Sequence, residues 1–147
     1  MNINMKNLSM FYIDGVWSVP NSGATMPVLN PATEQHVGVV ALGTTVDVDA
    51  AVAAANQAFV SYSQTTKVER LALLGKFLKV TETRFEDLAQ AMSMEMGAPI
   101  TMARDAHADA AVGHLQGFIE ALERLREREI LANGDIQLRE PIGVCGL

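Results

Sequence analysis

Cys145 is the single thiol of this 147-residue chain, and with His107 or His114 as its base it would form a nucleophilic pair. It stands, however, in the apolar run Pro141-Ile142-Gly143-Val144-Cys145-Gly146-Leu147, where a free cysteine is usually an inert, buried hydrophobe. His107 and His114 fall seven residues apart on one helix face. Two turns of helix separate them too widely for a shared zinc ion, which leaves them as partly exposed polar residues. Met92, Met94 and Met96 lie within one turn and suggest an adaptable binding surface, but helical spacing already accounts for Met92 as core filler. Gly143-x-x-Gly146 is too short a signature for a phosphate loop, and no receiving helix follows it in the sequence. The charged run around residue 125 reads as a solvated helix face.

The elements that position these residues begin with a hairpin. Asp14-Gly15 sits between aromatic and β-branched residues in Phe11 to Trp17, the strongest local hairpin signal. Asn21-Ser22-Gly23 ends it. An extended segment from Met26 to Leu29 then leads into the turn Asn30-Pro31-Ala32-Thr33-Glu34, and a strand is expected over Val37 to Leu42. From Gly43 the period becomes helical. Thr44 caps with Asp47 at N3, and Val48, Ala51, Val52, Ala55 and Phe59 share a face, predicting a helix over 46–60.

Thr66-Lys67-Val68-Glu69 is a second capping box. Leu71, Leu74 and Leu78 form one stripe beyond it, and Phe85, Leu88 and Met92 another, so 67–96 is one bent helix or two. Gly97 and Pro99 stop it. A helix over 100–127 buries Val112, Leu115, Ile119 and Leu122, and Asn133-Gly134 joins short strands around Ile130 and Ile136. The run from Pro141 predicts a strand of a parallel sheet covered on both faces, with its neighbours downstream of Leu147. The chain thus divides into a β-rich opening part (1–42), a helical part (43–128) and strand segments leading towards a sheet (129–147).

With 17 Asp+Glu against 11 Lys+Arg and a net charge of −6, there is no basic cluster for nucleic acid or an anionic membrane surface. Small molecules and protein partners remain. Met1 to Met10 carries one Lys and no uninterrupted apolar core, so it is expected to be neither signal peptide nor anchor. A single cysteine makes no internal disulfide, which agrees with a cytoplasmic location.

Five blocks occur in an order and spacing that resemble the N-terminal portion of the aldehyde dehydrogenase superfamily. They are Tyr12-Ile13-Asp14-Gly15, Asn30-Pro31-Ala32-Thr33-Glu34, the Asp47 to Ala55 run, Glu95-Met96-Gly97-Ala98-Pro99, and Arg139-Glu140-Pro141-Ile142-Gly143-Val144. The resemblance implies an α/β fold with a β-hairpin opening, helices, and the start of a Rossmann-like sheet. Family members are NAD- or NADP-dependent and roughly three times this length, with a coenzyme domain, a catalytic domain and an oligomerising β-ribbon. Homo-oligomers are therefore expected of the complete enzyme. In the family a cysteine attacks the aldehyde, hydride passes to the nicotinamide, a glutamate activates water, and an asparagine steadies the oxyanion.

By position, that asparagine's Pro-Trp-Asn motif would follow Leu147, and the coenzyme-binding and nucleophilic residues would come later still. The resemblance therefore assigns no catalytic or cofactor-binding residue to this chain, and Cys145 is not the family nucleophile. Two lesser roles carry over. Glu95 and the main-chain carbonyl of Val28 match the ligands of a structural monovalent cation, although glutamate stands where aspartate is frequent and Ala98 where lysine is frequent. Ala106 and Ala110 match inward positions of the helix lining the substrate entrance, which alanine would leave wide. The expectation is an incomplete aldehyde dehydrogenase, inactive alone, for which a non-catalytic module acting through protein–protein association is the alternative.

Overall fold

The computed structural model describes residues 9–146. The reading of the first ten residues as neither signal peptide nor anchor therefore rests largely on residues 1–8, outside the described residues, as does Leu147. Strands β1 (Phe11–Ile13) and β2 (Val16–Ser18) form an antiparallel hairpin. Asp14 and Gly15 both take positive φ, at 52° and 78°, as a two-residue turn matched to strand twist requires. Tyr12 and Trp17 face each other across it with ring centroids 5.1 Å apart.

Strands β3 (Thr25–Leu29) and β4 (His36–Ala41) form a second hairpin with a register shift at Val28/Leu29. The side chain of Asn30 holds its turn by accepting hydrogen bonds from the amides of Ala32 (2.9 Å) and Thr33 (3.3 Å). Helix α1 (Thr45–Tyr62) follows. Its start is fixed by the Asp47 carboxylate, which accepts from the Thr44 amide and hydroxyl (2.8 Å each) and from the Asn21 amide (2.9 Å). One N3 side chain thus caps the helix and ties it to the loop after the first hairpin.

The 67–96 region is two helices, α2 (Lys67–Thr83) and α3 (Phe85–Met96), broken at Arg84, whose φ and ψ are −99° and 12°. The capping box at Thr66 is present, with Glu69 accepting from the Thr66 amide at 2.8 Å. Gly97 closes α3 in the left-handed conformation at φ 71°. The following helix is not uniform: α4 (Ile100–Met102) runs into a π-helical turn (Ala103–Ala108) and then α5 (Asp109–Arg124).

Sequence periodicity misses the π turn because one inserted residue leaves most of an apolar stripe intact. Its effect is visible in burial. Ala103 and Ala108 would lie about 140° apart on an α-helix, yet both are fully buried, because i→i+5 bonding brings them to one side. They meet Ala89 of α3, with Phe85, Leu88, Met92 and Ile100 packed around them. Met92 therefore serves as core filler, whereas Met94 and Met96 are exposed. Val112, Leu115, Ile119 and Leu122 of α5 are half-buried.

α5 ends at Arg124, short of the expected residue 127. Lys67 donates to the carbonyls of Glu123 (3.1 Å) and Leu125 (3.0 Å), Leu125 turns extended, and Glu127 pairs with Arg70. The helix terminus is thereby spent on α2. Strands β5 (Arg128–Ile130) and β6 (Ile136–Leu138) complete a third hairpin around Asn133-Gly134. The strand expected from Pro141 is not formed within the described residues. Residues 141–146 form no strand: the three sheets described are two-stranded ribbons, and this run pairs with none of them. The mixed α/β character stands, carried by hairpins and helices.

Candidate functional site

Two places in the fold gather the residues that the family resemblance singles out. The first is the junction between the end of α3 and the Asn30 turn. Gly97 lies so close to that turn that an added Cβ would fall 2.8 Å from Cγ of Pro31 and 3.4 Å from the amide nitrogen of Ala32. Glycine is needed here twice, for its positive φ and for this approach. The Gly97 amide donates to Ser93 O (3.1 Å), and the Ser93 hydroxyl donates to Ala98 O (2.8 Å), pinning the exit from the helix.

Glu95 precedes Gly97 by two residues and is exposed, and Val28 precedes Asn30 by two and is half-buried in β3. The packing of Gly97 on Pro31 therefore brings the chain segments carrying both residues to one junction. A carboxylate beside the carbonyl-rich end of a helix is an environment that favours a cation. Among the described residues no group of three or more His, Cys, Asp or Glu side chains is arranged to hold a metal ion.

The second place is the π turn. Ala106 lies in it and Ala110 four residues later at the start of α5; both are exposed, on the side away from the buried Ala103 and Ala108. The turn is clamped to α3 by Arg104, which donates to both carboxylate oxygens of Glu86 at 2.9 and 2.7 Å. Gln90 donates to the same carboxylate at 2.8 Å. Hydrogen bonds from Arg104, then Gln90, hold the Glu86 carboxyl well below the usual carboxylate range, at about 2. His107 is half-buried with its Nδ1 enclosed and unpartnered among the described residues, whereas His114 is exposed. Neither the π turn nor the Glu86 fork was legible in helical periodicity.

Cys145 lies apart from both places. It is exposed rather than buried in a strand, and its weak hydrogen bond goes to Gly143 O at 4.0 Å. Among the described residues no base or cation hydrogen-bonds or ion-pairs with its sulfur. Gly143 takes φ 145° in the same extended run, with no helix N-terminus after it among the described residues.

Residues 17–147 match the aldehyde dehydrogenase family, so this chain belongs to that family. The chain is 42% identical over 147 residues to a 3-succinoylsemialdehyde-pyridine dehydrogenase from a Pseudomonas species, covering 97% of this chain and 30% of that protein. Among solved structures it is similar to an aldehyde dehydrogenase from Bartonella henselae, at 39% identity and a TM-score of 0.83, over 86% of this chain and 26% of that one. Aldehyde dehydrogenase C from Pseudomonas syringae, solved as a mutant with NAD+ and octanal, is also 39% identical, with a TM-score of 0.85 over 89% of this chain and 27% of the other. The chain spans about 30% of the length of the curated relatives it matches.

The Glu86–Arg104 fork makes the seating of the π turn acid-sensitive. A carboxyl lowered from 4.5 to about 2 contributes stability that is present above the unfolded pKa and lost as pH falls from about 4.5 through 2. Glu86→Gln is expected to lower the thermal midpoint near neutral pH. The difference from the parent chain should shrink over that acid window, as followed by circular dichroism melts at a series of pH values. A difference that stays constant with pH would remove Glu86 from the explanation.

Proposed function

We propose that this chain is the scaffold portion of an NAD- or NADP-dependent aldehyde oxidoreductase, acting in a homo-oligomeric enzyme of cytoplasmic location. The observation that carries this reading is family membership over residues 17–147 together with the match to a P. syringae aldehyde dehydrogenase solved with NAD+ and octanal. No helix among the described residues is long and apolar enough to cross a membrane. The substrate class is an aldehyde, oxidised to a carboxylic acid through a cysteine thiohemiacetal and thioester. The described residues do not fit a dinucleotide: the strand-to-helix connection between β4 and α1, Leu42-Gly43-Thr44, carries one glycine and no Gly-x-Gly-x-x-Gly run, and residues 141–146 form no sheet edge. No step of hydride transfer is therefore assigned to them.

What these residues supply is position. Ala106 and Ala110 present small side chains on the exposed side of the π turn, while Arg104 and the alanine core fix that turn against α3. In the assembled enzyme they would form a wide part of the substrate entrance. Glu95 and the Val28 carbonyl would hold a monovalent cation at the α3–Asn30 junction, locking the turn to the helix end. The alternative, a non-catalytic module that acts through protein association, is favoured by the breadth of exposed apolar surface, which includes Val16, Val68, Phe77, Phe118 and Ile142.

The purified chain alone is expected to give no NADH or NADPH from a panel of aliphatic and aromatic aldehydes, and Cys145→Ala should leave that result unchanged. Hydride transfer needs a thiolate against the aldehyde carbon and a nicotinamide within reach, and Cys145 has neither an activating neighbour nor a dinucleotide site beside it. Turnover that vanished with Cys145→Ala would overturn the assignment.

In a complete enzyme carrying this segment, Ala106→Phe should raise KM for bulky aldehydes by roughly tenfold or more relative to small ones. Equal effects on both sizes would take Ala106 away from the entrance. Glu95→Gln should abolish any rise in thermal midpoint on replacing choline chloride with potassium or sodium chloride. An unaltered cation response in that variant would remove Glu95 as a ligand.

A further inference from the structure

The turn between β5 and β6 holds a side chain folded against its own backbone. The Leu131 amide donates to Asp135 O at 2.8 Å, closing the loop, and inside it the Gly134 amide donates to Leu131 O at 2.9 Å. One residue holds both ends of the Asn133 side-chain amide: Oδ1 accepts from the Asp135 amide at 3.1 Å, and Nδ2 donates to the Asp135 carboxylate at 2.7 Å. These bonds loop the side chain over the Gly134 peptide, as in an Asx turn, and bend Cγ towards the Gly134 nitrogen. Gly134 takes φ 89°, and a Cβ added to it would meet nothing within 4 Å, so no side chain crowds that nitrogen. Leu131 to Asp135 are all exposed, and Asn133 is the one asparagine in the chain that precedes a glycine.

We propose that Asn133 is a site of self-modification, at which the side-chain amide is lost as ammonia by ring closure onto Gly134, leaving aspartate and isoaspartate. The Gly134 nitrogen bonds to Cγ of Asn133, and the Asp135 N–H already on Oδ1 stabilises that oxygen as it gains negative charge. The proton released from the Gly134 nitrogen passes to the Asp135 carboxylate and from there to Nδ2; the Cγ–Nδ2 bond breaks and NH3 departs. Water then opens the five-membered imide. Attack at Cγ restores the main chain with aspartate, and attack at the main-chain carbonyl carbon gives isoaspartate. Water is the only reactant consumed.

The Gly134 amide must first leave Leu131 O. That opening costs little, because β5 and β6 pair only with each other and leave Ile130, Ile136 and Leu138 more than half exposed. Asn30 supplies the contrast. Its Oδ1 accepts from the amides of Ala32 and Thr33 in the same folded manner, but the next residue is Pro31, whose nitrogen carries no proton to release. The product at Asn133 also disturbs the hairpin. A new carboxylate faces that of Asp135 where a hydrogen bond stood, and isoaspartate lengthens the main chain inside the loop that Leu131 and Asp135 close.

The purified chain, incubated at neutral pH, is followed by peptide mass spectrometry, with isoaspartate detected by enzymatic methylation. The peptide holding Asn133 should show the mass change of NH2 replaced by OH, divided between the two products, while the peptide holding Asn30 stays unchanged. Asp135→Ala should slow the reaction by about fivefold or more. Gly134→Ala should slow it by about tenfold or more. Both positions are exposed, so neither substitution reaches the core. Asn133→Asp should be cut by trypsin after Arg128 faster than the parent chain.

No conversion at Asn133 under conditions that convert a free peptide spanning Leu131 to Asp135 would overturn the proposal, since the fold would then shield the site. An unchanged rate in either alanine variant, or equal conversion at Asn30, would overturn it as well. Unaltered tryptic cleavage of Asn133→Asp would overturn the loosening of the hairpin.

Discussion

The fold depends on how closely α3 and the π turn approach each other. Its buried centre is Ala89, Ala103 and Ala108, each fully enclosed, and no side chain of large volume is fully buried among the described residues. Alanine-lined contacts leave backbones near one another, where the loss of each added methylene to overpacking is severe. Everything that must be held in place refers back to this contact. The Glu86–Arg104 fork spans it on the outside, Phe85, Leu88, Met92 and Ile100 seal its edge, and the exposed alanines 106 and 110 inherit their direction from it.

The same close approach governs the other end of α3. Gly97 admits Pro31 to within a distance that any side chain would deny, which joins the β3–β4 hairpin to the helices. Helix and hairpin are thereby linked through a backbone contact rather than through a layer of side chains. The Asp47 carboxylate performs a similar office for the first hairpin, drawing the Asn21 amide to the start of α1. Polar groups at helix termini, satisfied by side chains from distant segments, replace the broad apolar interfaces that a thicker core would provide.

Much of this was legible in the amino-acid order because it is local. Asp14-Gly15 requires two positive φ angles, Thr44 and Thr66 with their N3 acids start helices, and Gly97 stops one; each signal acts within four residues and each element formed where the signal stood. Features that depend on distant partners were hidden. The π turn conserves apolar spacing while changing which residues meet the core, and the early end of α5 follows from Lys67 and Arg70 more than fifty residues upstream. The run from Pro141 has strand composition, yet composition cannot supply a ladder, and it stands unpaired. The exposure of Ala106 and Ala110 was not legible in the sequence, since alanine spacing by itself distinguishes no face.

Most contacts in this structure join neighbours in sequence: β1 with β2, β3 with β4, β5 with β6, and α3 with the helix that follows it. Such units close small loops, so each loses little chain entropy on forming and none waits for a remote segment. Two meetings span long stretches: α2 with α5, fastened by Lys67 and Arg70, and Gly97 with Pro31. During synthesis the local units can therefore assemble in the order in which they are made, hairpin by hairpin and helix by helix, while the α2–α5 and Gly97–Pro31 closures wait for segments more than fifty residues apart. A nascent polypeptide built this way has its local units shaped early while its long-range closures are still open, which is the interval in which a holding chaperone would have something to grip.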